Sequence, residues 1–301
     1  MKWRRGQGGG GVEDLRGSGS GSRIPIGGKV GGGLGGLGIV GVIIAILVSV
    51  LGGGGGGGFS LDPGGLDAFP QAPTATGPGL DSSAPDPEAD LVQFVSFVVG
   101  DIQDSWADAF ANADPPRQYE LTAVRLFRGG VDTGCGPATS ATGPFYCPAD
   151  QRIYLDLAFF RELSDRFGAP GDFAQAYVIA HEFGYHVQNL LGTLPEVNRL
   201  QQERPDQANE LSVRLELQAD CYAGIWARTA YEDSLLEEGD LEEGLAAAAA
   251  VGDDRLQTQA TGTYDRETFT HGSSEQRQRW FLVGFQDGRV DACNTFSPET
   301  V

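Results

Sequence analysis

The chain has 301 residues, 46 of which are glycine, and a formal net charge of −20 at pH 7. Residues 1–30 carry six basic and two acidic side chains, a balance of +4, so the remainder of the chain carries −24. An acidic remainder of this kind argues against a nucleic acid partner, because such partners are bound through basic surfaces.

Three segments of distinct composition precede the globular part. Residues 1–29 are basic and rich in glycine, which predicts a disordered cytoplasmic tail. Residues 30–58 contain the apolar run Ile39–Leu51 within an uncharged stretch that extends from Val30 to Leu61, enough for about 20 residues to cross a bilayer. Residues 59–86 are rich in proline and glycine and are predicted to form an extended linker.

The basic residues beside the apolar stretch lie only on its N-terminal side. This pattern places the N-terminus in the cytoplasm and the main domain outside the cell membrane. A cleaved signal peptide and a soluble protein are the alternatives, but the stretch begins late for a signal and no A-x-A site follows it closely. We therefore expect one transmembrane helix, with residues 30–58 in contact with the lipid bilayer.

Residues 87–298 are predicted to form one extracytoplasmic domain of the α+β class, helix-rich with a small sheet. The helix from Asp172 to the residue before Gly192 is apolar on most faces, which predicts a buried central helix with Asp172 as N-cap. Capping-box patterns at Asp240–Glu243 and Ser273–Gln276 precede the last two helices. In chain order the pattern predicts a helix over 88–111, a strand over 119–127, a Gly- and Cys-containing loop, a strand over 152–157, and helices over 159–167, 172–191, 207–230, from 240 and over 273–288.

All four cysteines lie in this domain. An even count in an oxidising compartment predicts two disulfides, for which three pairings exist. The short loop between Cys135 and Cys147 favours that pair, and Cys221 would then pair with Cys293. The spacing of the four residues does not fit a zinc ribbon.

The central helix contains the sequence His181-Glu182-Phe183-Gly184-Tyr185-His186. In H-E-x-x-H, two histidines four residues apart lie about 40° apart around the helix and bind zinc, and the glutamate acts as general base. Here Tyr185 occupies the second ligand position, and His186 lies about 140° from His181. Tyr185 could bind zinc as a phenolate. The alternatives are a weak or vacant two-ligand site, or rescue by His186 or His271.

A second pattern, Glu216-Leu217-Gln218-Ala219-Asp220, places two carboxylates on one helix face. In zinc peptidases with a glutamate ligand, such a Glu binds the metal and the Asp holds the first histidine in one tautomer. Glu182 would take a proton from the attacking water. His271 is a candidate donor to the oxyanion, although a lone histidine before a helix cap is more often structural.

Several further segments carry a family resemblance: Val12–Asp14, Cys135–Ala138, Gly143–Asp150, Ala180–Asn189, Arg214–Cys221 and His271–Arg277. On these segments the chain resembles the bacterial membrane-anchored family of putative neutral zinc metallopeptidases. The resemblance implies a gluzincin-like fold, Zn²⁺ at His181 and Glu216, Glu182 as base and Asp220 behind His181. Family members read H-E-x-G-H-H, so Tyr185 stands where the family has a histidine ligand.

We therefore expect a membrane-anchored neutral zinc metallopeptidase that acts on peptide or protein substrates, impaired to the extent that Tyr185 is a poorer ligand than histidine. The first alternative is a catalytically inactive pseudo-peptidase that binds protein or peptide at the cell envelope. A purely structural envelope protein is the second alternative, which the two intact carboxylate and histidine patterns disfavour.

Overall fold

The computed structural model describes residues 1–6, 10–17, 85–297 and 301. The predicted anchor at residues 30–58 lies outside these residues, as does the predicted linker apart from its last two positions. Within the described residues, every helix is too short or too polar to span a bilayer.

Six strands and eight α-helices are formed by the described residues, and the α+β prediction is confirmed. The sequence pattern does not predict the helices over 193–203 and 253–261 or the strands in the Gly- and Cys-containing loop. In chain order the elements are β1 (Val12–Asp14), α1 (Ala89–Ala111), β2 (Ala123–Phe127), β3 (Gly130–Thr133), β4 (Gly136–Thr139), β5 (Phe145–Cys147), β6 (Arg152–Asp156), α2 (Ala158–Asp165), α3 (Asp172–Leu191), α4 (Thr193–Glu203), α5 (Ala208–Glu232), α6 (Asp240–Ala250), α7 (Asp253–Thr261) and α8 (Ser274–Asp287).

The main sheet has the strand order β1-β2-β6-β5. Strands β1, β2 and β6 are parallel, whereas β5 runs antiparallel to β6 at the edge. Strands β3 and β4 form a separate antiparallel hairpin. The predicted disulfide between Cys135 and Cys147 is confirmed and ties this hairpin to β5, and the Cys221–Cys293 disulfide is confirmed as well.

The N-terminal residues differ from their prediction. The basic, glycine-rich composition predicts that residues 1–6 and 10–17 belong to a disordered tail, yet β1 pairs with β2 in the register Val12↔Val124. The side chain of Met1 is buried, and the ring of Trp3 lies edge-on against Phe94. The prediction of disorder is wrong for these residues because the segment finds backbone and apolar partners on the domain, which composition alone does not reveal.

Three helices at the centre of the domain, α3, α5 and α8, are in close contact through their backbones. A Cβ added at Gly184 of α3 would lie 2.9 Å from the Cα of Ala219 on α5. On the other side of α5, a Cβ at Gly284 of α8 would lie 1.9 Å from the backbone oxygen of Cys221. Glycine at these positions lets α3, α5 and α8 pack backbone against backbone. The three helices therefore bring their polar residues within hydrogen-bonding distance.

Two of the predicted helix starts need correction. Gly171, not Asp172, is the N-cap of α3, and Asp172 lies in the first helical turn. Gly239 is likewise the N-cap of α6. Asp240 is the first residue of α6 and makes no capping box. The capping box between Ser273 and Gln276 at the start of α8 is confirmed.

Candidate active site

The H-E pattern lies in the middle of α3, where nearly every side chain is buried. His186 points away from His181: its Nδ1 lies 3.1 Å from the hydroxyl of Tyr146, and its Nε2 lies 2.7 Å from the backbone oxygen of Glu120. Burial lowers the pKa of His186. Both ring nitrogens therefore serve the packing of α3 against the sheet and its preceding loop, and the structure does not bring His186 to the site.

His181 meets the two carboxylates of α5. Its Nε2 lies 3.2 Å from Oε2 of Glu216, and its Nδ1 lies 2.9 Å from Oδ1 of Asp220. The four-residue spacing puts both acids on one face of α5, and the close approach at Gly184 brings that face to His181. Burial alone would lower the pKa of His181, but Asp220 and Glu216 together raise it to about 9.

Tyr185 lies one turn beyond His181 on the same face of α3. Its hydroxyl donates to Oε1 of Glu216 at 2.5 Å, in a buried setting. Burial and the neighbouring charge of Glu216 raise the pKa of Tyr185 well above its ordinary value. Without a metal, the phenol therefore keeps its proton and acts as a donor to Glu216.

Arg277 of α8 completes the charge network. Its guanidinium is only 3% exposed and reaches both oxygens of Asp220, with Nε at 2.7 Å and Nη2 at 2.9 Å. Its Nη2 also lies 3.6 Å from Oε2 of Glu216. The hydroxyl of Tyr177 donates to the same Asp220 at 2.5 Å. Burial would raise the pKa of Asp220, but Arg277 and His181 lower it overall.

The role of Arg277 was not predicted, although the sequence carries a signal for it. Arg277 shares a helical stripe with Phe281 and Gly284, both buried. A cation on the buried stripe of a helix needs an acidic partner, because an unpaired buried charge is too costly. That partner could be identified only by knowing which helix packs against α8.

Glu182 projects into the same interior without a complete set of partners. It is 3% exposed, and its Oε2 has no hydrogen-bond partner among the described residues. Burial raises the pKa of Glu182 to about 7, with an opposing contribution from His181. A carboxyl with this pKa can exchange a proton near neutral pH.

His271 approaches the site from the loop before α8, held by Asp253. The Oδ2 of Asp253 accepts the backbone N–H groups of Thr270 at 2.7 Å and Gly272 at 3.1 Å, and its Oδ1 lies 3.1 Å from Nδ1 of His271. The Nε2 of His271 is buried, has no hydrogen-bond partner within the described part of the chain, and lies 3.7 Å from Oε1 of Glu216. Asp253, which the sequence pattern did not single out, therefore orients His271 toward Glu216.

The donor atoms fit a zinc ion in part. Tetrahedral zinc at about 2.0–2.1 Å from nitrogen and oxygen ligands places those ligands roughly 3.3 Å from each other. His181 Nε2 and Glu216 Oε2, 3.2 Å apart, meet this requirement. Tyr185 offers a third donor atom, an oxygen, on the same face. Glu182 Oε2 and His271 Nε2 are buried polar atoms that have no hydrogen-bond partner among the described residues.

A different acidic group also has metal-like spacing. Among the described residues, Asp172, Asp240 and Glu243 form the one set of three His, Cys, Asp or Glu side chains whose ligand atoms all lie within 4.8 Å of one another. The N-terminal ammonium of Met1 lies 2.8 Å from Asp172 and 3.1 Å from Asp240. Asp172 and Asp240 therefore have a cationic partner within the chain.

Comparison with known proteins adds an independent finding. The model of a family described as putative neutral zinc metallopeptidase matches residues 1–296. The uncharacterized protein YpfJ of Escherichia coli (strain K12) is 48% identical over 210 residues, which are 69% of this chain and 72% of that protein. The uncharacterized protein Rv2575 of Mycobacterium tuberculosis (strain ATCC 25618 / H37Rv) is 47% identical over 252 residues, 79% and 83% of the two chains. No solved structure matches the chain.

Proposed function

The chain belongs to the family of putative neutral zinc metallopeptidases, and from this premise we propose that it hydrolyses peptide bonds with a zinc ion held by His181 and Glu216. The observation that carries the proposal is the approach of His181 Nε2 to Glu216 Oε2 at 3.2 Å on two buried helices, with Asp220 behind the other ring nitrogen. The substrate is a peptide or protein, and the domain is of the gluzincin type.

The third ligand in this proposal is the oxygen of Tyr185. It lies on the ligand face, but it must give up its proton and its hydrogen bond to Glu216 before it can bind a metal. Tyr185 is therefore a poorer ligand than a histidine, and we expect weaker zinc binding than in relatives with His at this position. A bound zinc ion supplies Lewis acid chemistry, by polarising the scissile carbonyl and lowering the pKa of water.

The other residues of the site have separate tasks. Asp220 accepts the Nδ1–H of His181, so that Nε2 is the nitrogen that binds the metal once its own proton is released. Glu182 takes a proton from the attacking water and passes it to the leaving amine, a task suited to its pKa of about 7. His271, held by Asp253, turns its Nε2 toward Glu216 and is the candidate group beside the oxyanion of the tetrahedral intermediate.

One observation favours a second function. Without a metal, both oxygens of Glu216 already have partners, with Tyr185 on Oε1 and His181 on Oε2. The guanidinium of Arg277 lies near the same carboxylate and further compensates its negative charge. A site of this kind can persist without zinc, which would make the protein a pseudo-peptidase that binds a peptide or protein at the cell envelope.

Metal content separates the two functions. The full chain and the variants Tyr185→His, Tyr185→Phe and Tyr231→Phe are purified, and bound zinc is measured by competition with a chelator of known affinity. Tyr231→Phe is the matched control, because this tyrosine is exposed and lies on the far end of α5. If Tyr185 is a ligand, Tyr185→Phe binds zinc at least about tenfold more weakly than wild type, and Tyr231→Phe matches wild type.

Peptide hydrolysis then tests the reaction itself. Cleavage of a peptide library by the zinc-loaded wild type, lost in Glu182→Gln while zinc remains bound, supports the peptidase. If wild type binds no zinc and Tyr185→His binds it tightly, the peptidase assignment of the wild-type chain fails and the pseudo-peptidase stands. The His variant also shows whether the rest of the site is intact.

A further inference from the structure

The described residues on either side of the long glycine-rich segment meet in one ion cluster. Arg16 donates from Nη2 to Asp86 at 2.7 Å and from Nη1 to Glu88 at 2.8 Å. Its guanidinium is 1% exposed, and Asp14 accepts from it as well. Glu88 in turn accepts from Arg128 of the domain. The two ends of the segment between residues 17 and 85 are therefore clamped together at the start of α1.

Strand β1 is built into the sheet on both its backbone and its side-chain contacts. The backbone N–H of Val124 donates to Gly11 at 2.7 Å, and that of Leu15 donates to Leu126 at 2.8 Å. Gly11 has φ +112°, and a Cβ at this position would lie 2.5 Å from Nε2 of Gln103 on α1. The segment thus fits closely between the edge of β2 and α1, as an integral strand does.

The residues before β1 extend this contact over the helices. The backbone N–H of Lys2 donates to Leu235, just beyond α5, at 2.6 Å. The ring centroid of Trp3 lies 5.5 Å from that of Phe94. Arg5 is paired with Asp90 on the exposed side of α1. Contacts on the sheet, on α1 and beyond α5 together hold the N-terminal segment against the domain.

These contacts bear on the membrane arrangement. In a chain that crosses a bilayer once, the segments before and after the crossing are separated by a hydrocarbon core of about 30 Å. In this structure, by contrast, the side chains of Arg16 and Asp86 are 2.7 Å apart. We propose that residues 1–17 lie on the same side of the cell membrane as the domain of residues 85–297. The single crossing that the charge pattern predicts would instead place these two parts of the chain on opposite sides of the membrane.

Cysteine labelling tests this proposal on the full chain. Gly10→Cys and Gly17→Cys place reporters at exposed positions where a Cβ meets no atom of the described residues within 4 Å. Gln202→Cys places a third reporter at an exposed position of the domain. The native cysteines do not react, because none of them is free. Intact spheroplasts of cells that express each variant are treated with a membrane-impermeant maleimide, before and after permeabilisation.

All three reporters are expected to behave alike. Either all three are labelled in intact spheroplasts, or all three are protected until permeabilisation. The proposal is overturned if Gln202→Cys is labelled in intact spheroplasts while Gly10→Cys and Gly17→Cys are labelled only after permeabilisation, or the reverse. Non-reducing mass mapping of each variant confirms that both native disulfides are retained.

A second measurement does not depend on labelling. Arg16→Ala removes the clamp and is expected to lower the melting temperature of the full chain by about 4 °C or more. Arg199→Ala is the control, because the ion pairs of Arg199 with Glu196 and Glu203 are exposed to solvent. This variant should have the melting temperature of the wild type. Equal melting temperatures for wild type and Arg16→Ala would show that the segment is not docked, and the proposal would fail.

Discussion

Replacing Arg277 by glutamine tests whether the buried ion network holds the candidate site together. The change leaves Asp220, which is fully buried, without its bidentate partner. Breaking a buried pair by removing one partner costs about 3–5 kcal/mol, because the remaining charge is uncompensated. A domain of this size loses roughly 2–4 °C of melting temperature per kcal/mol. We therefore expect Arg277→Gln to lower the Tm by roughly 6–20 °C.

The pairwise nature of this effect is measured by a double-mutant cycle with Asp220→Asn. Urea unfolding of the metal-free full chain at pH 7 gives the free energy of unfolding of each variant. The double variant should be more stable than the sum of the single effects predicts, by about 1–3 kcal/mol. Arg199→Gln, which removes solvent-exposed pairs with Glu196 and Glu203, should leave the free energy of unfolding close to that of the wild type. Strictly additive effects of the first two changes would refute the reasoning.

Three further changes have expected outcomes that follow from the geometry. The pKa of Glu182 is raised from 4.5 to about 7, so the folded metal-free protein binds the carboxyl proton more tightly than the unfolded chain does. The free energy of unfolding therefore falls as the pH rises from 4.5 to about 7. Urea unfolding should therefore show Glu182→Gln stabilised by up to about 3 kcal/mol at pH 8 and unchanged at pH 4; equal effects at both pH values would contradict this. Gly284→Ala places a Cβ 1.9 Å from a backbone oxygen of α5 and should abolish soluble, folded protein in a thermal melt, whereas Gly130→Ala, with its nearest atom at 3.7 Å, should fold normally. Joint replacement of Cys221 and Cys293 by serine opens a loop with a sequence separation of 72 residues and should lower the free energy of unfolding in urea by about 4 kcal/mol. The same replacement of Cys135 and Cys147, with a separation of 12, should lower it by about 3 kcal/mol. A smaller cost for the long loop would contradict the chain-entropy account.

The parts of the site that sequence could predict are those set by the geometry of a single helix. Four-residue spacing places Glu216 and Asp220 on one face of α5, and five-residue spacing turns His186 away from His181. Both relations follow from 3.6 residues per turn, whatever the helix packs against. The capping box at the start of α8 is local in the same way.

The parts that sequence could not predict depend on which elements meet in space. Arg277 and Asp253 act on residues far from them in the chain, through contacts that helix periodicity does not specify. The hydrogen bond from Tyr185 to Glu216 likewise depends on the distance between α3 and α5. Strand β1 has only three residues in a glycine-rich setting, so neither length nor alternation marks it as a strand.

The pairing of β1 with β2 has a consequence for biosynthesis. Val12 pairs with Val124, which is 112 positions later in the chain. At about 5–20 residues per second, the ribosome makes the second strand roughly 6–22 s after the first. During that interval the first strand has no partner, and parallel pairing across such a separation is intrinsically slow. The residues made first are therefore among the last to reach their final place, and the edge of β2 stays open to other chains until they do.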